Sequence, residues 1–273
     1  MTDTNQFADL CEPLIVAQLS AELRSLTVVH LHESIDSTNS FLLQSDHGAG
    51  VEICAAEIQT RGRGRRGHAW HTPVRGVTFS LKLTVPVPLA EISGASLVCG
   101  VSLCEVLHSF GVFTATVKWP NDILAGHAKL AGILVEVAGH SQGDTTLVVG
   151  IGVNYVAGDE RISIEREIVD LNQLRNGSPP ERSKLIGAIC SRVYTDLMTS
   201  LPLNTSFVGK WNHYDALAGQ EVTVVQQAAQ HEFVSHTGTG LGIDGKGLLQ
   251  LETVDGIRSF SSAEVTIKKP GAV

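Results

Sequence analysis

A glycine- and arginine-rich segment is the first candidate for chemistry in this sequence. Residues 61–67 are Arg-Gly-Arg-Gly-Arg-Arg-Gly and lie between two predicted strands. Glycine lets the backbone turn sharply and approach a ligand, and arginine carries permanently charged donors that suit phosphate or carboxylate groups. The segment is therefore predicted to be an anion-binding loop, with a solvated basic loop or a nucleic-acid contact as the alternatives.

A second candidate is Lys118-Trp119-Pro120-Asn121-Asp122, which follows another predicted strand. Pro120 has no backbone N–H, so it should turn the chain out of the sheet. The turn then presents Lys118, Asn121 and Asp122 at a strand end, where α/β proteins often bind ligands. Lysine can hold a phosphate, and Asn and Asp oxygens can hold a nucleotide or Mg²⁺. The alternative is a tight turn without chemistry.

Two glycine-containing apolar runs come next along the chain. Lys129 stands at the start of a predicted core strand, and Gly132 within that strand allows another group to approach closely. The alternatives are an ordinary surface lysine and a glycine needed for helix–sheet packing. Gly150 and Gly152 precede Asn154, but the third glycine of a dinucleotide-binding fingerprint is missing, so a Rossmann site is rejected. The two glycines before Asn154 still indicate backbone that passes close to a ligand.

Hydrophobic periodicity predicts the elements that must position these residues. Helices are predicted over residues 7–23, 36–44, 91–110 and 183–200. Strands are predicted over residues 28–35, 51–58, 77–85, 114–119, 130–137 and 146–153.

Near residue 217 the pattern changes to short strands separated by turn signals such as Asp244-Gly245 and Asp255-Gly256. The strands are predicted over residues 221–225, 232–237, 248–252, 257–260 and 264–267. About fifty residues of short strands are typical of a small β-barrel. The chain is therefore predicted to contain a large domain over residues 1–217 and a small β domain over residues 218–273.

Composition narrows the class of protein. Of the 273 residues, 43% are hydrophobic and 18% are charged, which are values of a globular protein. The net charge of −8 argues against attraction of the whole chain to nucleic acid or to an anionic membrane. The five cysteines have no CxxC spacing and are predicted to be buried thiols. Without a long apolar run or a secretory signal, the protein is expected in the cytoplasm.

Taken together, the motifs resemble the biotin–protein ligases (biotin–[acetyl-CoA-carboxylase] ligases). The resemblance runs from about residue 30 to the end of the chain, and its motifs are highly specific as an ordered set. They are Ser37-Thr38-Asn39, Gln59, Gly62 to Gly67, Trp70, Lys118 to Asp122, Lys129 to Leu134, Gly152 to Asn154, Gly242 to Asp244 and Gly247 to Leu249.

The resemblance implies an α+β fold, with a mixed sheet and packed helices followed by a C-terminal SH3-like barrel. It implies ATP-dependent activation of biotin to biotinyl-5′-AMP and transfer of biotin to a lysine of a biotin carboxyl carrier protein, a subunit of acetyl-CoA carboxylase. ATP and Mg²⁺ are the implied cofactors, and the metal ligands stay unassigned.

The resemblance also assigns site residues. Biotin binding is carried over to Ser37, Thr38, Asn39, Gln59, Gly62, Arg63, Arg65, Lys129 and Gly132. ATP binding is carried over to Arg65, Arg66, Trp70, Lys118, Asn121, Asp122 and Asn154. Arg65, Lys129 and Asp122 are the implied catalytic residues: Lys129 bridges the biotin carboxylate and the phosphate, and Asp122 orients or deprotonates the acceptor amine.

Three positions depart from the family's pattern, namely Arg61, His68 and Thr72. The segment before the first strand offers about one helix, too little for a three-helix DNA-binding module, so a ligase without repressor function is expected. Neither DNA nor a membrane is expected as a partner, and a monomer and a homodimer both remain open. The alternatives are a lipoate–protein ligase or octanoyltransferase and, from another class, a nucleic-acid-binding protein.

Overall fold

The computed structural model describes residues 10–46, 48, 50–70, 75–141, 143–156, 167–227 and 233–267. Within them the helices are α1 (Glu12–Ala17), α2 (Ala21–Leu26), α3 (Thr38–Gln44), α4 (Ala95–Ser109), α5 (Leu171–Leu174), α6 (Arg182–Ser200) and α7 (Thr205–Tyr214). Short 3₁₀ turns cover Arg65–Gly67 and Leu89–Glu91. None of the helices described is long and apolar enough to cross a membrane.

The strands form two sheets. The first contains β1 (Thr27–Ile35), β2 (Val51–Gln59), β3 (Arg75–Val85), β4 (Ala115–Lys118), β5 (Asp122–Ala125), β6 (Ala128–His140) and β7 (Thr145–Val156). Its order is β1-β2-β3-β7-β6-β5-β4, with β1 and β2 parallel and the other neighbours antiparallel. The second contains β8 (Glu221–Gln227), β9 (Phe233–Ile243), β10 (Leu249–Thr253), β11 (Gly256–Phe260) and β12 (Glu264–Ile267), in the antiparallel order β11-β10-β9-β8-β12. The predicted α+β fold, a mixed sheet with helices and a separate C-terminal β domain, is confirmed.

The two faces of the first sheet differ in residue type because side chains alternate along a strand. On β3 and β7 one set of alternate positions joins the main core with α4 and α6, and we call this the helix-covered face. Its members include Val77, Phe79, Leu81, Val149, Ile151 and Val153. The positions between them form the cavity face, which includes Thr78, Ser80, Gly150, Gly152 and Asn154. Helix α3 packs on this second face, against β2, β3 and β7.

The N-terminal helix was predicted wrongly as one element. The structure has two short helices, α1 and α2, and the predicted residues 7–9 lie outside the described part of the chain. Ser20 begins α2, because its side chain accepts a hydrogen bond from the backbone N–H of Leu23 at 3.2 Å. A serine at this position satisfies a free helix N–H and so favours a new helix start over continuation of the old one.

Helix α4 begins at Ala95, four residues later than predicted, after the 3₁₀ turn Leu89–Glu91 and with Gly94 at its N-cap. It ends before Gly111, as predicted, where φ is 82°. The prediction also missed β5 and α7. A four-residue strand such as β5 has too few positions to show a period, and the Pro-Asn-Asp turn before it obscures its start.

The second sheet is attached to the first through specific contacts. The indole Nε1 of Trp119 donates a hydrogen bond to the carbonyl of Gly247 at 3.1 Å, and this contact is buried. The N–H of Ala216 donates to the carbonyl of Val117 at 2.9 Å. Leu217, the predicted domain boundary, lies between α7 and β8 in the sequence. The Lys-Trp-Pro-Asn-Asp turn is therefore also a point of contact between the two sheets.

Candidate functional site

A cavity of about 870 Å³ lies on the cavity face of the first sheet. It is lined by all the predicted site residues except Gly62: Ser37, Thr38, Asn39, Gln59, Arg63, Arg65, Arg66, Trp70, Lys118, Asn121, Asp122, Lys129, Gly132 and Asn154. Gly62 is a buried residue of the arginine loop, and an added Cβ there would overlap the carbonyl oxygen of Trp70. The structure thus brings together residues that are up to 117 positions apart, from Ser37 to Asn154.

Two glycines form part of the cavity floor. Gly132 on β6 and Gly152 on β7 are direct cross-strand partners, and the indole of Trp70 lies against both. A Cβ on Gly152 would overlap the indole ring, and a Cβ on Gly132 would lie 3.0 Å from its Cζ3 atom. The ammonium of Lys129 lies 5.6 Å from the centroid of the same ring. Glycine at these two positions therefore allows the tryptophan to reach the sheet backbone.

The Ser37-Thr38-Asn39 turn is held at the start of α3. Ser37 is the N-cap residue, and Gln59 at the end of β2 accepts hydrogen bonds through Oε1 from the Thr38 backbone N–H at 2.8 Å and from its hydroxyl at 3.0 Å. The Ser80 hydroxyl lies 2.7 Å from Thr38 Oγ1 and 2.5 Å from Asn39 Oδ1. Ser37, Thr38, Asn39 and Ser80 are all at most 3% exposed. These contacts fix the orientation of a buried cluster of neutral donors and acceptors.

The arginine loop folds back onto the sheet. The backbone N–H of Gly64 donates to the carbonyl of His68 at 2.7 Å, and that of Trp70 donates to Gly62 at 2.9 Å, so the loop closes on itself. Arg65 Nη1 donates to Asn121 Oδ1 at 3.3 Å. Burial lowers the pKa of the Arg65 guanidinium, repulsion from Arg66 lowers it further, and attraction to Asp122 opposes both. An arginine remains protonated despite such shifts, so Arg65 brings a partly desolvated cation to the cavity.

Other loop side chains reach other elements. Arg63 forms an ion pair with Glu136 on β6 and donates through Nη1 to Ser40 Oγ at 3.3 Å. Arg66 has a left-handed φ of 53° and donates to the Ser262 hydroxyl of the second sheet's last turn at 3.0 Å. The loop therefore contacts α3, the first sheet and the C-terminal β domain.

Charged and amide groups cluster where β4, β5 and β6 meet. Lys129 Nζ lies 2.6 Å from Asp122 Oδ1, and both side chains are largely buried. Asn121 donates through Nδ2 to the carbonyl of Ile133 at 2.8 Å, which fixes the amide that receives Arg65. Lys118 is the cross-strand partner of Asp122 in the β4–β5 pair. The predicted cations and the predicted carboxylate therefore share one corner of the cavity.

Asn154 lines the cavity and also donates hydrogen bonds to two backbone carbonyls. Its amide Nδ2 donates to the carbonyl of Lys129 at 3.1 Å and to that of Val169 at 3.3 Å. It is 5% exposed. The side chain thereby secures the start of β6, from which Lys129 projects. Its assignment to ATP stays a prediction.

Sequence reasoning missed several residues that support the cavity or line it. Ser80 and Glu136 hold the Ser-Thr-Asn turn, and residues 263–267 of the C-terminal domain form part of the cavity wall. The polar–apolar alternation of β3 is a signal for Ser80, because a polar residue there must face away from the helices. Nothing in the local sequence indicates that β12 would reach this cavity, since the contact depends on how the two domains pack.

Two protein-family models and several named proteins are similar to this chain. The model of the Biotin/lipoate A/B protein ligase family matches residues 31–154, and that of the Biotin protein ligase C terminal domain matches residues 218–268. The chain is 31% identical over 244 residues to the bifunctional ligase/repressor BirA of Escherichia coli, which covers 86% of this chain and 72% of that protein. It is 28% identical to the biotin–[acetyl-CoA-carboxylase] ligase of Mycobacterium tuberculosis, which covers 79% of this chain and 80% of that one.

Solved structures share the fold. The biotin protein ligase of Aquifex aeolicus, solved in complex with biotin and ATP, superposes with a TM-score of 0.71 at 24% identity and covers 89% of this chain and 99% of that one. The biotin protein ligase of Leishmania major, solved with biotinyl-5-AMP, superposes with a TM-score of 0.57 at 20% identity and covers 86% and 98%. With both domain models and the Escherichia coli relative in agreement, this chain belongs to the biotin protein ligases of the biotin/lipoate A/B protein ligase family.

Proposed function

We propose that this chain uses ATP to activate biotin as biotinyl-5′-AMP and transfers the biotinyl group to a lysine of a biotin carboxyl carrier protein, a subunit of acetyl-CoA carboxylase. The observation that carries the proposal is one cavity that contains both the neutral cluster around Gln59 and the cations Arg65 and Lys129. The name of the Mycobacterium tuberculosis relative and the biotin and ATP in the Aquifex aeolicus complex support it.

The neutral cluster suits a ureido ring, which offers two N–H donors and one carbonyl acceptor. Thr38 donates two hydrogen bonds to Oε1 of Gln59, so the group that this amide contributes to a ligand is its Nε2 donor. Asn39 and the hydroxyls of Ser37 and Thr38 contribute acceptors beside it. Lipoate and octanoate lack a ureido ring, so their apolar groups would form no hydrogen bonds with this polar cluster. The proposal therefore favours biotin over those acids.

The order of the strands supports separate ends of the cavity for the ring and for the reacting centre. Gln59 is on β2, and Asp122 begins β5 on the other side of the glycine pair Gly132 and Gly152. The floor glycines let the Trp70 indole lie directly against the sheet, and Gly62 lets the loop backbone pass close to Gln59. We assign Gly62, Arg63 and Gly132 to the biotin site on this basis, as the resemblance implies.

In the activation step a carboxylate oxygen of biotin attacks the α-phosphorus of ATP, the bond to the β-phosphate oxygen breaks, and pyrophosphate leaves. Two anions must approach each other, so positioned cations contribute more than a general base would. Lys129 is proposed to bridge the carboxylate and the α-phosphate, and Arg65 to hold the adenylate. Asp122 and Asn121 hold these two cations in place.

The nucleotide is assigned to Arg66, Trp70, Lys118, Asn121, Asp122 and Asn154. The indole of Trp70 offers an apolar ring over the glycine floor, next to the ammonium of Lys129. Arg66 and Lys118 add positive charge toward the phosphates. The loop also covers the reacting centre, and exclusion of water would protect the reactive mixed anhydride from hydrolysis.

In the transfer step the lysine amine of the carrier attacks the biotinyl carbonyl carbon, the bond to the AMP oxygen breaks, and the amine loses a proton. Asp122 is proposed to orient that amine or to accept its proton. The contact between Asp122 and Lys129 keeps the carboxylate at the reacting centre.

Mg²⁺ is proposed to bind together with the nucleotide phosphates. In the part of the chain that the structure describes, no group of three or more His, Cys, Asp or Glu side chains could hold a metal ion. The oxygens of Asp122 and Asn121 nevertheless fit an ion that takes one or two protein ligands and completes its shell with phosphates and water. When bound, the ion would neutralise phosphate charge.

The test is a pyrophosphate-release assay with Mg-ATP and biotin, with lipoate and with no acid. Lys129→Ala is expected to reduce biotin-dependent release by about a thousandfold, which corresponds to about 4 kcal/mol of lost transition-state stabilisation. Arg65→Ala is expected to reduce it strongly as well. The matched control is Lys184→Ala, which removes an exposed lysine from α6 and should leave the rate unchanged.

Release that depends on biotin and is lost in Lys129→Ala would establish both the reaction and its site. A folded protein that releases pyrophosphate only with lipoate would contradict the choice of substrate. Full activity of Lys129→Ala would contradict the site.

A further inference from the structure

Glu136 is a carboxylate that the assigned machinery leaves unexplained. It lies on β6, at the alternate positions that also include Gly132, and its side chain is 21% exposed. Its two oxygens have different partners. Oε2 accepts a hydrogen bond from Asn39 Nδ2 at 2.9 Å, and Oε1 forms the ion pair with Arg63.

The contact with Asn39 determines which end of that amide faces the cavity cluster. Asn39 is 3% exposed, and its Nδ2 is held by Glu136 while its Oδ1 lies 2.5 Å from the Ser80 hydroxyl. A carboxylate can only accept hydrogen bonds, so it can pair only with the nitrogen end of the amide. Glu136 therefore orients Asn39 Oδ1 as an acceptor within the Ser-Thr-Asn turn.

The contact with Arg63 holds the arginine loop. Arg63 reaches Glu136 on the sheet and Ser40 on α3, so the loop is secured next to the same turn. A charge-assisted contact of this kind contributes more than a neutral hydrogen bond, although exposure of the Arg63 side chain, at 43%, reduces its value.

We infer that Glu136 is a positioning residue that couples the orientation of Asn39 to the closed placement of the arginine loop. The identity of the bound ring rests on the proposed function, whereas the coupling between Asn39 and Arg63 rests on the geometry alone. When Asn39 is fixed by a bound ring, Glu136 is fixed with it, and Arg63 gains a pre-ordered partner. Ring recognition and loop closure thereby favour each other through a single carboxylate.

The test uses Glu136→Gln, which keeps the shape of the side chain but replaces one acceptor oxygen by an NH₂ group. Either Asn39 or Arg63 then faces a donor and loses its contact. We expect the KM for biotin to rise about tenfold, and the biotinyl-adenylate to be hydrolysed about tenfold faster in the absence of carrier. Each effect corresponds to about 1.4 kcal/mol, within the range for a hydrogen bond to a charged group.

A double-variant comparison separates coupling from independent roles. Arg63→Gln alone should also raise the KM for biotin, and adding it to Glu136→Gln should have little further effect. Arg63→Lys retains the cation and should recover part of the loss. Arg258→Gln is the control, because it removes an exposed arginine of the C-terminal domain that does not line the cavity, and it should leave the KM unchanged. Additive effects of Glu136→Gln and Arg63→Gln, or a normal KM in Glu136→Gln, would overturn the inference.

A ligand-free measurement keeps this inference distinct from the proposed function. Trypsin should cleave within residues 61–67 about tenfold faster in Glu136→Gln than in the wild-type protein, with the exposed-surface variant Glu33→Gln as control. Unchanged cleavage would contradict the loop contact whatever acid the enzyme uses. If the wild-type protein is inactive with biotin, the proposed function fails, while faster cleavage still supports the coupling through Glu136.

Discussion

The helix-covered face and the cavity face of the first sheet are built from the same strands and have opposite properties. Along β7, Val149, Ile151 and Val153 are packed into the main core, while Gly150 and Gly152 between them carry no side chain. On the cavity face Asn39 and Trp70 occupy the space that a Cβ would take. One face stabilises the fold through apolar burial, and the other lets the side chains of the site pack directly against the strand backbone.

This difference shows how a rigid sheet can hold a site without losing stability. The backbone geometry of β3 and β7 is maintained by packing on the helix-covered face, so the cavity face can include glycine, serine and threonine. Polar contacts there, as in the cluster of Thr38, Asn39 and Ser80, lie beside a small apolar cluster that includes Leu42 and Val148. Substitutions on the two faces should therefore affect different quantities.

The largest expected effect is a loss of stability on the helix-covered face. Leu81→Ala removes a fully buried side chain from the main core and should lower the free energy of unfolding by about 2–5 kcal/mol. Urea unfolding would measure it. Leu241→Ala, which truncates a leucine that is 44% exposed, is the control and should change stability by less than about 0.5 kcal/mol. Equal losses in the two variants would contradict the role assigned to this face.

A smaller, pH-dependent loss is expected at Glu52, a polar residue under α3. Burial alone would raise the pKa of the Glu52 carboxyl, but hydrogen bonds from Ser45 and His30 and the charge of Lys82 lower it below its usual value of 4.5. The folded protein therefore binds protons less readily than the unfolded chain at this site. Its contribution to stability is complete above pH 4.5 and is lost as the pH falls through the folded-state pKa.

Glu52→Gln should accordingly lower the free energy of unfolding by about 2–3 kcal/mol at neutral pH. The difference from the wild-type protein should shrink as the pH falls below 4.5. Denaturant midpoints measured from neutral pH downward would test this, with Glu33→Gln as the exposed control. A difference that stays constant with pH would argue against an ionised Glu52.

A substitution on the cavity floor is expected to change stability least, but to reduce activity. Gly152→Ala places a Cβ in the space of the Trp70 indole, so the half-buried ring must move away from the sheet. Biotin-dependent pyrophosphate release should fall about tenfold to fiftyfold, while the free energy of unfolding changes by less than about 1 kcal/mol.

Gly139→Ala is the matched control for the floor substitution, because it makes the same change on β6 where nothing lies within 4 Å of the added Cβ. Its activity should equal that of the wild-type protein. If Gly152→Ala retained full activity, the close approach of Trp70 to the sheet would have no role in the reaction.

Local sequence patterns predicted most strands and the long helices, because both have a strong hydrophobic periodicity. Helix α6 was expected over residues 183–200 and spans Arg182–Ser200, and β2 was expected over residues 51–58 and spans Val51–Gln59. The errors lie where a single side chain decides a boundary, as Ser20 does at α2. Strand β5 was missed because its four residues are too few to show a period, and the ten-residue helix α7 was missed as well.

The residue types of the site were also accessible from sequence, because glycine, arginine and lysine next to strand ends have few structural uses in that combination. Their partners were not. These contacts join residues that are distant in the chain or lie on different elements. Lys129 contacts Asp122, Glu136 contacts Asn39 and Arg63, and β12 lines the cavity.

The sequence by itself determined the alternating strands, the positions that must be glycine and the set of ionic groups, because these depend on residue type and spacing. Only the tertiary structure decided which of those groups face each other. Strand register placed Gly132 opposite Gly152, and the fold of the arginine loop brought the Trp70 indole against both. Register and packing depend on the whole chain at once, so no local pattern contains them.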